Sequence, residues 1–215
     1  MREKYNKQLE LLNKEIKEMG ILCEDAISLV VGALVKKNKE NLSAVFDMEA
    51  RIDQKERDIE NLCMKLLLKQ QPVASDLRLV SSALKMVSDM ERIGDQSSDI
   101  AELVTYVENV DETCLAHIQD MAVATIKMVT ESVDSFIKKD LAKTQEVIDY
   151  DDVVDKLFNS VKNDLTRMII ADETASEACL DLLMIAKYFE RIGDHATNIA
   201  EWVFYSITGF HKNSD

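Results

Sequence analysis

The residues best suited to chemistry in this sequence are four acids in a repeated pentapeptide. Glu-Arg-Ile-Gly-Asp runs from Glu91 to Asp95, and the same five residues recur 99 positions later, from Glu190 to Asp194. Residues four apart lie on one face of a helix, so each copy places two carboxylates side by side. Like charges at this spacing repel each other by roughly a few tenths of a kcal/mol, and by more where they are partly desolvated. A cation is therefore expected beside each pair.

Two kinds of cation could neutralise these acids. One is the arginine inside each copy, Arg92 or Arg191, and the other is a metal ion shared by carboxylates of more than one helix. The preceding predicted helix of each half carries a further acid pair at the same spacing. The candidate metal ligands are therefore Glu49, Asp53, Glu91 and Asp95 in the first half, and Asp151, Asp155, Glu190 and Asp194 in the second. Ligation by oxygen alone suits Mg²⁺, Ca²⁺, Mn²⁺ or iron rather than a thiolate-bound zinc site.

The glycines of the motif, Gly94 and Gly193, favour metal sites over a solvated face. A glycine inside a helix costs about 1 kcal/mol relative to alanine, so its recurrence indicates that another helix approaches closely there. The alternative is that the acids simply face solvent, as isolated acid pairs on helices usually do. Repetition of the whole motif on the apolar stripe of its helix favours metal. The second-helix pairs are the weaker part of the pattern, because Glu56 corresponds to Phe158.

Apolar residues at spacings of three and four predict the helices that must position these acids. The predicted helices span about 3–35, 42–69, 74–107, 112–137, 141–170 and 175–208. The single proline, Pro72, and the turn around Asp140 mark breaks, and Ser75 or a neighbour is predicted to cap the third helix. The first two helices of each half match at an offset of 102 residues and the third at 99. We therefore predict an all-α protein of two tandem three-helix bundles, 1–109 and 110–215, related by an internal repeat.

Composition narrows the class of protein. Of 215 residues, 40 are acidic and 26 basic, which gives a formal charge of −14 and disfavours contact with nucleic acid or anionic lipid. The cysteines lie on helical apolar patterns without a CxxC pair, which indicates buried thiols in a reducing compartment. No signal peptide and no run of about 20 apolar residues is visible. These features predict a cytoplasmic protein that meets membranes only through partner proteins.

Other side chains offer less chemistry. His195 follows Asp194, but Gln96 stands at its counterpart in the first half, so a partly exposed surface histidine is favoured over a metal ligand. His117 and His211 are predicted to have no constellation of functional residues around them. No catalytic triad, nucleotide fingerprint or phosphate loop can be assembled, so we predict neither catalytic residues nor a cofactor site other than metal. The cluster of Trp202, Phe204 and Tyr205 is predicted to belong to the core or to a dimer seam.

The chain also resembles a known family. The two pentapeptides, the stretch 69–78 (Lys-Gln-Gln-Pro-Val-Ala-Ser-Asp-Leu-Arg) and the ending 198–205 followed by Gly209 closely resemble the PhoU proteins of bacteria. The resemblance implies a tandem pair of three-helix bundles, often dimeric, that accompanies the high-affinity phosphate ABC transporter. The implied partners are the transporter's ATPase subunit and the phosphate sensor histidine kinase. Such a regulator keeps phosphate uptake and the starvation response low when phosphate is plentiful.

The family's acidic motif binds multinuclear metal clusters in some members, and it matches the two acid pairs of the pentapeptides. The resemblance therefore implies divalent or trivalent metal ions, with Mg, Mn, Fe or Zn as candidates. Asp99 is added to the first ligand set, whereas Asn198 stands at the matching position of the second. The second site is accordingly expected to carry less charge and to hold metal less tightly. Two alternatives are a metal-dependent enzyme that uses these sites and a scaffold whose acids only face solvent.

Overall fold

Six helices account for nearly all of the regular structure. The computed structural model describes residues 2–69, 73–107 and 112–212, and within them it contains no strand. The helices are Arg2–Lys36 (α1), Ser43–Lys69 (α2), Ala74–Val104 (α3), Glu112–Lys138 (α4), Leu141–Ala171 (α5) and Ser176–Thr208 (α6), with a short 3₁₀ helix at Glu173–Ala175. The predicted all-α class is confirmed. The predicted break at Pro72 and the predicted boundary between residues 109 and 110 lie outside the described residues.

The helix ends follow local chemistry with two departures from prediction. The Asp140 carboxylate accepts a hydrogen bond from the Lys143 amide (3.0 Å) and so caps α5. The prediction that Ser75 or a neighbour caps α3 is wrong, because Ser75 lies inside the helix and the N-cap is Val73, which makes no side-chain cap bond. The third helix also ends at Val104 rather than near residue 107.

Each half is a three-helix bundle, and the two bundles share one core. α1, α2 and α3 contact one another, as do α4, α5 and α6, while α3 against α6 and α1 against α4 join the halves. α2 and α5 therefore lie on the outside, each packed on two helices of its own half. Large side chains buried without exposure, such as Ile16, Met90, Phe136 and Phe189, belong to a single continuous apolar cluster. This arrangement presents α2 beside α3, and α5 beside α6, where the acid pairs lie.

Two further observations bear on the sequence predictions. All four cysteines are buried thiols and none of them forms a disulfide, as predicted. None of the helices in the described part of the chain has a segment both long and apolar enough to cross a lipid bilayer.

Candidate metal centre

The helices that carry the acids meet at the glycines of the motif. A Cβ atom on Gly94 would lie 3.0 Å from Cδ1 of Ile52 on α2, and a Cβ atom on Gly193 would lie 3.4 Å from Cγ1 of Val154 on α5. The predicted close approach is confirmed in both halves, and it is tighter in the first. A Cβ atom on Gly94 would press on Ile52, so this glycine allows α2 to lie next to the acids of α3, whereas the contact at Gly193 leaves room for a methyl group.

The first half brings three of its predicted ligands together. One carboxylate oxygen each from Glu49, Asp53 and Asp95 lies within 4.8 Å of the other two. Oxygen ligands bind Mg²⁺ or Ca²⁺ at about 2.0–2.6 Å, so ligands of one ion lie no more than about 5 Å apart. The donor chemistry and the spacing of this cluster therefore fit a hard metal ion. No other such group of three His, Cys, Asp or Glu donor atoms occurs within residues 2–69, 73–107 and 112–212.

Glu91 borders this cluster but is engaged by an arginine. Arg92 places Nε 3.4 Å from Oε2 of Glu91 and a terminal nitrogen 3.0 Å from Oδ2 of Asp95. Arg57 lies 3.5 Å from the Asp53 carboxylate in the same way. Both arginine side chains are more than half exposed, so these ion pairs contribute little stability. Arg92, one of the two kinds of cation that could neutralise the acids, is thus in contact with both acids of the first pentapeptide.

The carboxylates of the first cluster repel one another, as the raised pKa values of Glu49 and Glu91 indicate. Burial raises the pKa of Glu49, and the charges of Asp53 and Asp95 raise it further. Burial likewise raises the pKa of Glu91, with Asp95 as the next cause. A pKa that neighbouring carboxylates raise means that the ionised carboxylates repel one another. A bound cation would reduce this repulsion. The same residues that converge geometrically therefore also favour a cation electrostatically.

The second half brings its acids near one another without the same convergence. Burial raises the pKa of Asp194 to about 6, and the charges of Glu190 and Asp151 add to the effect. Burial also raises the pKa of Asp151, followed by the charge of Asp155. The four predicted ligands Asp151, Asp155, Glu190 and Asp194 are thus close enough for their charges to affect one another, and we call them the second cluster. Glu190, however, is ion-paired with Lys187 of its own helix.

Asp99, the ninth predicted ligand, points to the other half. It accepts a hydrogen bond from the Tyr188 hydroxyl of α6, and it is not part of the three-oxygen group. Its counterpart Asn198 donates an amide hydrogen bond to Asp89 of α3 (3.3 Å). Asp99 and Asn198, by which the sequence distinguished the two sites, therefore both contribute to the contact between α3 and α6. This assignment requires the tertiary packing, because the partners lie about 90 to 110 residues apart in the chain.

The structure gives each histidine a partner. His195 is 18% exposed, which agrees with the predicted partly exposed histidine, and its Nδ1 lies 2.9 Å from Asp89 across the α3–α6 contact. His117 has a partner after all, since its Nδ1 lies 2.6 Å from Asp164 of α5. His211 stacks on Tyr205 with ring centroids 4.2 Å apart. The partners of His195 and His117 come from other helices, and His211 itself lies beyond the end of α6, so helical periodicity gives no signal for these pairs.

The fold and the site define a two-repeat helical bundle with an acidic cluster between the second and third helix of each repeat. A family described as PhoU domain matches residues 16–104 and 118–203. The chain belongs to this PhoU family, which confirms the resemblance seen in the sequence.

Two named relatives are similar in sequence to this chain over nearly its whole length. The phosphate-specific transport system accessory protein PhoU homolog of Clostridium acetobutylicum is 32% identical over 97% of this chain and 96% of its own length. The homolog of Zymomonas mobilis is 34% identical over 95% of this chain and 87% of its own length.

Solved structures give the same result. The crystal structure of PhoU from Pseudomonas aeruginosa has a TM-score of 0.90 at 33% identity, covering 96% of this chain and 100% of that one. The phosphate transport system regulatory protein PhoU from Streptococcus pneumoniae has a TM-score of 0.89 at 25% identity, covering 97% of this chain and 99% of that one. Two tandem repeats of three helices are thus the fold of this chain.

Proposed function

We propose that this protein is a non-enzymatic negative regulator of high-affinity phosphate uptake and of phosphate-starvation signalling. It acts in the cytoplasm as a homodimer that binds the ATPase subunit of the phosphate ABC transporter and the phosphate sensor histidine kinase. Metal ions held by its carboxylate clusters stabilise the binding-competent form. Its relatives carry the names of phosphate transport accessory and regulatory proteins, which supports the transport role.

The observation that carries the metal part of the proposal is the convergence of Glu49, Asp53 and Asp95. Glu49 and Asp53 belong to the outer helix α2, whereas Asp95 belongs to the central helix α3. These three residues would hold the ion, whose charge offsets their mutual repulsion. Loss of the ion then loosens α2 from α3, so the outer face of the first repeat depends on metal occupancy.

A regulatory rather than catalytic role fits the surroundings of the acids. A general base near a metal-activated water is most often histidine, and the converging group contains carboxylates alone. His195 and His117 are each engaged by an aspartate of another helix. Hydrolysis of phosphoesters by the metal-loaded protein would contradict a regulatory role and favour a metal-dependent enzyme.

The metal assignment is tested by metal content and melting temperature. Glu91→Gln combined with Asp95→Asn removes the α3 acid of the first cluster and the acid that borders it, and it should lower the bound metal of that half while sparing the second. Chelation should lower the melting temperature of the native protein by more than that of this variant, which keeps only the metal of the second half. The exposed pair Asp120→Asn with Glu112→Gln on α4 is the matched control. Unchanged stoichiometry in the double variant would refute the assignment.

The partner assignment is tested with the full chain and purified transporter. We expect the metal-loaded protein to co-purify with the ATPase subunit, and the Glu91→Gln, Asp95→Asn variant to do so less well. Sedimentation velocity of the same preparations checks the dimer. Failure of the native protein to bind the ATPase subunit, with or without metal, would sink the proposed partner.

A further inference from the structure

The internal repeat is broken at two positions that border the acidic clusters. Glu56 and Ser88 lie beside the first cluster, and Phe158 and Lys187 are their counterparts in the second half. In the first half the Ser88 hydroxyl donates a hydrogen bond to the Glu56 carboxylate (3.1 Å). In the second half the Lys187 ammonium lies 5.7 Å from the centroid of the Phe158 ring, within the range of a cation–π contact. A hydroxyl and an acid have thus been replaced by a cation and an aromatic ring.

The Lys187 ammonium also forms an ion pair with a predicted metal ligand. It contacts both carboxylate oxygens of Glu190, one turn along α6. A carboxylate that gives both oxygens to an ammonium has to release this charge-assisted contact before it can ligate a metal ion. Lys187 therefore supplies the second cluster with positive charge of the protein's own.

The arginine of the first cluster is more exposed than Lys187 and divides its contacts between two acids. Arg92 reaches Oε2 of Glu91 at 3.4 Å and Oδ2 of Asp95 at 3.0 Å, and 59% of its side chain is exposed, against 44% for Lys187. Its counterpart Arg191 places its charge near Asp99, outside the second cluster. Three donor oxygens still converge in the first half, and no such convergence occurs in the described part of the second. The two clusters are therefore chemically unequal for a reason that lies in the chain itself.

We propose that Lys187, held over Phe158, acts as a tethered cation that makes the second cluster the weaker of two metal sites. A divalent cation then fills the cluster of Glu49, Asp53 and Asp95 first, and the second cluster only at higher concentration. The inference rests on the proposed metal function, and it replaces the charge difference between Asp99 and Asn198 as the cause of the asymmetry. The protein thereby has a half-loaded state over a range of metal concentration.

Equilibrium dialysis of the full chain against Mn²⁺ tests this proposal. We expect two unequal classes of site, of which Lys187→Met strengthens the weaker by about tenfold, the scale of effects from groups around a metal ligand. Lys187→Gln should act in the same direction. The control Lys138→Met removes an exposed ion pair with Asp134 in the same half and should change neither class. Glu190→Gln with Asp194→Asn should abolish the weaker class and so assign it to the second cluster.

The reciprocal exchange gives an independent readout. Glu56→Phe with Ser88→Lys introduces the tethered cation into the first half, and it should weaken the tighter class of site. Equal affinities in the native protein, or a weaker class unchanged by both Lys187 variants, would overturn the inference and leave the proposed metal function standing. Absence of saturable Mn²⁺ binding by every variant would overturn both.

Discussion

Asp194 is the acid whose protonation the fold changes most clearly. Burial, reinforced by Glu190 and Asp151, raises its pKa to about 6 from its ordinary value of 3.8, although more than a third of the residue is exposed. Between about pH 4 and pH 6, Asp194 is therefore largely protonated in the folded metal-free protein and largely ionised in the unfolded chain. The protein's free energy of unfolding should fall as pH rises through this range and remain lower above it.

The variant Asp194→Asn tests this dependence in the presence of a chelator. At pH 7.5 it should be more stable than the native protein by no more than about 1 kcal/mol after solvent screening, or about 2–4 °C in melting temperature. At pH 5.5 the gain should shrink, because Asp194 is then largely protonated. Thermal melts at both pH values measure the effect, and Asp120→Asn on the exposed face of α4 is the control. A gain of equal size at the two pH values would show that burial does not raise the pKa of Asp194.

Helix-to-helix distance is set at single glycines, and the two repeats differ there. A methyl group on Gly94 would press on Ile52, which is fully buried and β-branched, whereas one on Gly193 would make an ordinary contact with Val154. Overpacking of α2 against α3 should therefore make Gly94→Ala destabilising by about 1 kcal/mol. Gly193→Ala should be neutral or stabilising by up to about 1 kcal/mol, because alanine favours the helix.

Urea unfolding of both variants, with Gly32→Ala as a reference, measures this difference. Gly32 lies inside α1 with nothing within 4 Å of its added Cβ atom, so the reference reports helix propensity alone. If Gly94→Ala proves as stable as Gly193→Ala, α2 is free to move away from α3, and close packing does not position the first cluster.

At the scale of the whole molecule, the two repeats depend on each other. α3 and α6 form the most extensive helix pair, and the apolar cluster runs through both halves without interruption. A fragment of residues 112–212 would expose the faces of α4 and α6 that the first half covers. We expect it to be partly folded or associated when expressed alone, because an exposed apolar face of this kind favours association.

Circular dichroism and sedimentation velocity check this expectation. Mixing the fragment with residues 1–107 should restore helicity and a single cooperative melt, which distinguishes missing contacts from damage to the fragment. A monomeric fragment that melts cooperatively by itself would mean that each repeat is an independent domain.

The sequence alone determined the helices, their order and the internal repeat, because apolar periodicity and glycine placement are local properties of the chain. It also identified the acids that converge, since Glu49, Asp53 and Asp95 recur at helical spacing in both halves. Tertiary structure decided which of the nine predicted ligands meet. Asp99 pairs with Tyr188 and His195 with Asp89 because α3 packs on α6, a contact between residues about 90 to 110 positions apart. Such long-range pairs leave no periodic trace in the sequence, so only the packing of the two repeats could reveal them.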